Sequence, residues 1–299
     1  MASPGVLTYI DRPKAVVPNP PSKSEILVRD LVSIPDLQLA IDLEKQTWGA
    51  DDKDVTPLTL AIAMRAAGAI WLGAFDANRM VGFAFAIPSL EHGQPNYHSH
   101  MLGVEPAYRG SGIGYRLKLA QRQRVLALGI REITWTFDPL RARNAHLNFS
   151  CLGVVSNDYR TDFYGPSTSS PLHRNGTDRL WVRWQLTDTR VDARIRGRDS
   201  RAETLDTLKH LEPLVSFNGD GRPAMSDLQQ ALSRQRIAIE IPGDMDRIEA
   251  EDETLARKWR LATRQAFTES LRSGFVITEF VRSVRGQQGP GAYLLEKPQ

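Results

Sequence analysis

The sequence lacks several features that would place a protein quickly. It holds one cysteine, Cys151, which excludes an internal disulfide framework and a cysteine-built zinc site. No apolar run approaches the ~20 residues that a membrane-spanning helix needs, so no membrane partner is expected. The opening stretch MASPGVLTYIDRPKAVVPNPPSKSE has no basic segment leading into an apolar one. It does not read as a secretory signal, and the cytoplasm is the expected compartment. Its proline and serine content reads as a tail over residues 1–24. Charge of one sign is also scarce: the formal net charge is only +3, and no basic stripe with interleaved aromatics appears. A nucleic-acid partner is therefore not expected. There is no internal repeat and no long linker.

What is present is an ordinary globular composition, 41% apolar and 24% charged, over 299 residues, enough for a sizeable core. EILVRDL (residues 25–31) reads as a strand. PDLQLAIDLEKQTWG places Leu37, Ala40, Ile41 and Trp48 near helical spacing and stops at Gly49, although Leu37, Leu39, Ile41 and Leu43 also alternate as in a strand. TPLTLAIAMRAAG reads as a helix with Thr56 as N-cap, Pro57 at its first position and Gly68 past its end. AIWLGAF and MVGFAFAIPS flank the turn DANR as a hairpin, and NYHSHMLGV is the next strand. A glycine-rich turn and helix follow. Then come the strand EITWTFDP, the helix RARNAHLNFSCLG ending at Gly153, a short strand near residues 154–156, and DRLWVRWQLTD. The order β-α-α-β-β-β-α-β-α-β-β predicts an α/β fold with a mixed sheet over residues 25–188.

Beyond residue 188 the texture changes. TRVDARIRGRDSRAET is polar and arginine-rich and reads as loop or frayed helix. IAIEIP, FVITEFVR and AYLLEK read as strands, and SVRGQQGPG as a hairpin loop. DETLARKWRLATRQAFTESLRSG reads as a long amphipathic helix with Asp252 as cap and Gly274 after it. Residues 189–299 are thus expected to form an α+β extension packed on the main domain.

The sharpest signal is MLGVEPAYRGSGIGYRLKLAQRQR, where Arg109, Gly110, Gly112 and Gly114 crowd a helix start. A helix start presents unsatisfied N–H groups and partial positive charge, which suits an anion. Glycines let the backbone approach that anion and form a concave nest of N–H groups. Three phosphate loops compete. A P-loop needs a lysine and a hydroxyl after its last glycine, but Gly114 is followed by Tyr115 and Arg116. A dinucleotide loop needs G-x-G-x-x-G, and the third position here is Tyr115. The pattern R-x-x-G-x-G fits, at Arg109, Gly112 and Gly114.

With Val104-Glu105-Pro106 before Arg109, this stretch resembles the coenzyme A loop of the GNAT acyltransferase superfamily. The element order over residues 25–187 resembles that family too. HMLGVEPAYRGSGIG, DPLRARNAHLNFSCLGV and YGPS with DRLWVRWQL resemble a branch with an extended C-terminal part. The resemblance implies a mostly antiparallel mixed sheet flanked by helices, with acetyl-CoA or another acyl-CoA as co-substrate. It implies that Leu102, Gly103 and Val104 line the acyl-pantetheine. It assigns the pyrophosphate to Arg109, Gly110, Ser111, Gly112, Ile113 and Gly114.

Acyl transfer to an amine requires a neutral amine, stabilisation of the oxyanion and, where the thiolate needs it, a proton for the leaving group. His98 and His100 lie two apart on the strand before the loop, so strand periodicity puts both on one face. Histidine takes protons near neutrality, and His98 stands near where the family often carries a catalytic glutamate. A metal reading of His-x-His lacks a third ligand beyond His92, and no metal is expected. The family's usual acid is a tyrosine four residues before the helix-ending glycine; here that position is Phe149. Tyr164 is the candidate taken in its place, with Tyr159 and Tyr115 left open. Asn144 and Asn148 could bond pantetheine amides. Asp138 ends a strand at the expected cleft, and Arg141 and Arg143 follow at the helix start, suited to gripping a carboxylate. Solvated arginines or coenzyme A phosphate contacts remain the alternative for them.

These features predict direct acyl transfer, of acetyl or a larger group such as succinyl, to a small-molecule amine or amino acid. The rival is a non-catalytic coenzyme A-binding sensor or interaction module. A homodimer is compatible with either.

Overall fold

The computed structural model describes residues 25–49, 54–165, 173–197, 201–284 and 289–298. The N-terminal tail, the Pro166-Ser167 part of YGPS and the tip of the last hairpin loop lie outside them. The chain runs β1 (Leu27–Asp30), α1 (Ile34–Trp48), α2 (Leu58–Ala66), β2 (Ile70–Asp76), β3 (Arg79–Glu91), β4 (Gln94–Val104), α3 (Ile113–Ala127) and β5 (Glu132–Phe137). It continues as α4 (Ala142–Ala145), a π-helical turn His146–Cys151, β6 (Val155–Arg160) and β7 (Arg179–Gln185). The last part holds α5 (Thr189–Ile195), α6 (Arg201–Lys209), β8 (Pro213–Phe217), β9 (Pro223–Met225), α7 (Leu228–Ser233), β10 (Arg236–Ile241), α8 (Met245–Glu251), α9 (Glu253–Arg272), β11 (Val276–Val281) and β12 (Gly291–Glu296).

Residues 37–43 are helical because only the helical face is apolar inward: Leu37, Ile41 and Leu43 are buried while Leu39 faces solvent. Ser33 caps α1 in a reciprocal capping box with Asp36, and Gly49 ends it in the left-handed conformation. The start of α2 differs from expectation by one position. Its N-cap is Pro57, with no side-chain cap, and the Thr56 N–H before it donates to the Glu44 carboxylate at 3.2 Å.

The strands form one sheet in the order β1-β2-β3-β4-β5-β7-β6-β11-β12-β10-β8-β9. The pairs β4–β5 and β10–β8 are parallel; the other ladders among the described residues are antiparallel. On the first half, α1 and α2 cover one face over Trp71, Phe83 and Phe85, and α3 covers the other over Leu72, Val81 and Ala84. The second half continues from β6 to β11 through the Ser156–Ile277 pair. It contains more than the three strands and one helix expected. The strands β8 and β9 are short and each begins at proline, which weakens their sequence signal. The arginine-rich stretch folds as α5, capped by Asp188, and α6.

The helix α9 presses its buried stripe of Trp259, Thr263, Ala266 and Phe267 toward the sheet. It also brings Arg260 to Asp138 at 2.8 Å, a pair that is almost fully buried. Burial alone would raise the Asp138 carboxyl, but the guanidiniums of Arg260, Arg141 and Arg179 outweigh it and hold its pKa down to about 2. A second tie runs from Arg264 to Asp178 at 2.7 Å and Asp162 at 2.9 Å.

Removing one partner of a buried pair strands the other charge. Arg260→Met should lower the unfolding free energy by about 3 kcal/mol, measured by denaturant titration at neutral pH. Asp138→Asn combined with Arg260→Met should recover most of that loss. In the wild type, a carboxyl pKa below its unfolded value stabilises at neutral pH, and this share fades as pH falls through about 4 toward 2.

Candidate active site

The glycine loop joins the end of β4 to the start of α3. Tyr108 anchors it by donating to Asp76 at 2.6 Å, and the Ser111 hydroxyl donates back to the Tyr108 carbonyl at 2.6 Å. Gly110 and Gly112 hold φ of 83° and 84°, a region side chains rarely adopt. Ser33 caps α1 and Asp252 caps α9, but α3 begins at Gly112 without a side-chain cap and without an acid in its first turn. Its leading N–H groups and dipole are left for an anion. Arg109 donates to the Val104 carbonyl at 3.2 Å and the Thr47 carbonyl at 3.3 Å, so it ties the loop to α1 while staying exposed. The chain thus fits a pyrophosphate at Gly110, Ser111, Gly112, Ile113 and Gly114, with Arg109 bracing the loop at its edge.

Upstream of the loop, β4 and β5 pair only at Tyr97–Ile133 and His98–Thr134. Beyond that point β4 stays with β3 and β5 with β7, so the two strands part. At the same place β4 carries a bulge: Ser99 opposes Ala86, Met101 opposes Phe85, and His100 is the extra residue. A bulged residue is left out of the ladder, which frees backbone polar groups beside the opening. Leu102 and Val104 face α3, while Gly103 lies on the opposite face, where a Cβ would come within 2.6 Å of the Phe83 ring.

The structure brings His98 and His100 together, with ring centroids 6.4 Å apart. His98 stacks on Trp181 at 4.8 Å, and its Nδ1 lies 3.2 Å from the Thr134 hydroxyl. Burial, then the charges of His100, Lys118 and Arg160, lower the His98 pKa to about 4. His100 is exposed yet flanked by enough protein for desolvation to lower its pKa too. A groove of about 760 Å³ opens beside His98, lined by Trp181, Glu91, Asp158 and Arg160 among others. Arg160 lies 3.8 Å over the Trp181 ring and pairs with Asp158 at 2.9 Å.

Tyr164 sits further away, linked to His98 through Phe163 and Trp181, and stacks on His173. Asn144 and Arg143 are exposed at the start of α4. Asn148 is buried and accepts from the Trp135 indole at 3.3 Å. Two expectations are corrected. Asp138 does not face a substrate; it is buried against Arg260 and accepts the Leu140 N–H at 3.0 Å. Arg141 is not a free carboxylate clamp either, since Glu249, at 2.8 Å, and Asp246, both on α8, fill its fork.

Sequence reasoning missed the side chains closing the opening between β4 and β5. Lys118 is 3% exposed; its ammonium donates to the Ser99 hydroxyl at 2.7 Å and lies 3.7 Å from the Trp135 ring centroid. Gln121, three residues on, is fully buried with no partner for its amide among the described residues. The signal was there: both are polar positions on the same stripe as Ile113, Leu117 and Val125.

Residues 37–149 match the family model described as "Acetyltransferase (GNAT) family". That stretch is a GNAT acetyltransferase domain, and an additional C-terminal region follows it. No curated protein matches the chain. Among solved structures, the chain is similar to the ribosomal-protein-S18-alanine N-acetyltransferase of Escherichia coli, at 15% identity, covering 55% of this chain and 96% of that one, with a TM-score of 0.44. It is similar to a GNAT acetyltransferase of Streptococcus pneumoniae at 15% identity, 53% and 98% coverage and a TM-score of 0.44. It is also similar to the PaiA N-acetyltransferase of Thermoplasma acidophilum, solved with coenzyme A, at 14% identity, 54% and 99% coverage and a TM-score of 0.39. Among the described residues no helix is long and apolar enough to cross a membrane.

A histidine with a depressed pKa favours the native state while neutral, so its contribution to stability is lost as pH falls from about 6.5 toward 4. In a histidine-resolved NMR titration, His98 should stay neutral down to about pH 5, while a titration midpoint near 6.5 would show that its ring is not desolvated.

Proposed function

We propose that the chain is an acyl-CoA-dependent N-acyltransferase that moves an acetyl or larger acyl group directly to a small amine or amino acid. The observation that carries this reading is the parting of β4 and β5 at the bulged His100, directly upstream of the uncapped glycine loop. One end of that opening suits a pyrophosphate, and the other presents a neutral histidine and unpaired backbone groups. The domain match over residues 37–149 supports the same reading.

In this reading the pyrophosphate rests on residues 110–114 and the pantetheine runs beside Leu102 and Val104. The amine enters from the groove by His98 and Trp181. His98 is neutral at physiological pH, so it can accept the proton that the amine nitrogen releases, directly or through water. Its depressed basicity makes it a weak base, and positioning of the two reactants supplies the larger share of the rate. N–H groups freed at the bulge meet the developing oxyanion. Asp158 and Glu91 line the groove paired with Arg160 and Arg183, so its wall is polar and charge-balanced and the aromatic face of Trp181 is its main apolar surface.

Calorimetric titration with coenzyme A, acetyl-CoA and succinyl-CoA, with NADH as control, tests the first half. Tight binding that depends on the acyl group is expected. Gly112→Val should weaken coenzyme A binding at least about tenfold, because its φ of 84° excludes a β-branched residue. Equal affinity in that variant would remove the loop from the site. Binding without acyl preference, and without turnover on any amine, would support the coenzyme A sensor instead.

A further inference from the structure

We infer that Lys118 is the proton donor to the departing coenzyme A thiolate, placed by α3 in the opening between β4 and β5. The inference rests on the acyltransferase reading above.

The placement is unusual for a lysine. Its ammonium lies between Ser99 of β4 and Trp135 of β5. Each is one residue beyond the last β4–β5 pair, His98–Thr134. Lys118 therefore sits where the two strands begin to separate. It reaches that point from the helix whose N-terminus forms the glycine loop, so one helix carries both the anchor and the donor. A solvated ammonium is the usual fate of lysine, and burying one without a carboxylate is costly.

The titratable and polar groups around it are few. From β4 it is His98, which the Lys118 charge helps to depress. On α3, Tyr115 precedes it and Gln121 follows. From β5 come Thr134 and Trp135, and from the π-helical turn Asn148, bound to the Trp135 indole. No carboxylate pairs with the ammonium among the described residues. Burial lowers the Lys118 pKa to about 7, so near neutrality the side chain exists as both donor and acceptor.

The position that would otherwise supply the proton cannot. Phe149 is fully buried, edge-on to Phe137 and Tyr293. The amine nitrogen bonds to the thioester carbonyl carbon and gives up one proton, to His98 or water. As the tetrahedral species collapses, the C–S bond breaks and its electron pair goes to sulfur. An N–H proton of Lys118 moves to that sulfur, giving the thiol and a neutral lysine. The proton released by the amine nitrogen restores the ammonium through water. The Ser99 hydroxyl and the Trp135 face hold the ammonium in the opening while it is charged.

Lys118→Met removes the ammonium and keeps an unbranched side chain at a buried site, a change that tends to preserve stability. Two measurements decide. First, the thiol of coenzyme A bound to the wild-type protein is titrated by its thiolate ultraviolet absorbance. Its pKa should lie about one unit or more below that of free coenzyme A, and Lys118→Met should abolish the shift. Second, the wild-type kcat should fall above about pH 7 as Lys118 deprotonates, and Lys118→Met should lose that limb along with roughly 10²-fold in kcat. An unshifted thiol pKa in the wild type overturns the inference while leaving the acyltransferase reading intact. A kcat within twofold of wild type with the alkaline limb retained in Lys118→Met does the same. Failure of the wild type to bind coenzyme A would remove both together.

Discussion

The arrangement depends on a conflict of pairing. β4 is committed along its whole length to β3, antiparallel, and β5 is committed to β7, also antiparallel. Their mutual pairing is parallel and lasts two residues. Each antiparallel ladder carries its strand's twist away from the other, and the bulge at His100 bends β4 further. A sheet interior normally has no unpaired backbone, because each lost hydrogen bond in a buried place costs free energy. A gap there persists only when other groups cover its walls. Lys118, Ser99, Trp135 and Asn148 form such a polar lining.

The C-terminal region is bound to this gap's neighbourhood through charge. Asp138, at the end of β5, and Arg141, just before α4, lie where a substrate contact was expected. The structure gives both to the extension instead: Asp138 to Arg260 on α9, Arg141 to Glu249 on α8. Arg264 repeats the device with Asp178 beside β7. The pairs are specific in geometry, and they fix the register of α9 against the sheet while apolar burial of Trp259 and Phe267 supplies the bulk of the driving force. The single-pair seam between β6 and β11 is thus reinforced from above by a helix that contacts both halves.

Much of this was legible in the chain itself. The order of strands and helices through residue 188, the glycine loop and the histidine pair follow from periodicity, caps and turn residues, because local physics determines them. Asp252 as the cap of α9 is an example: its side chain accepts the Leu255 N–H at 2.9 Å. The partners of charged residues were not legible. Asp138 meets Arg260 across 122 positions of sequence, and Arg141 meets Glu249 across 108. No local pattern encodes such a distance. Lys118 stands between these cases. Its place on a buried stripe was visible, but its meaning required knowing that β4 and β5 separate above it.

The same long-range packing accounts for the phenylalanine at position 149. Its ring is enclosed by Phe137 from β5 and Tyr293 from β12, and the Tyr293 hydroxyl is already donated to the Pro139 carbonyl at 2.7 Å. A phenol at position 149 would bring a second hydroxyl into an apolar cluster, at a cost of about 1–3 kcal/mol if it found no acceptor. The extension that supplies Tyr293 thereby makes an apolar residue the stable choice on that side of the gap. In the mechanism inferred above, a proton for the thiolate would then be supplied from another element bordering the gap. The sheet leaves one helix there, α3, and the buried polar side chain it directs between the parting strands is Lys118.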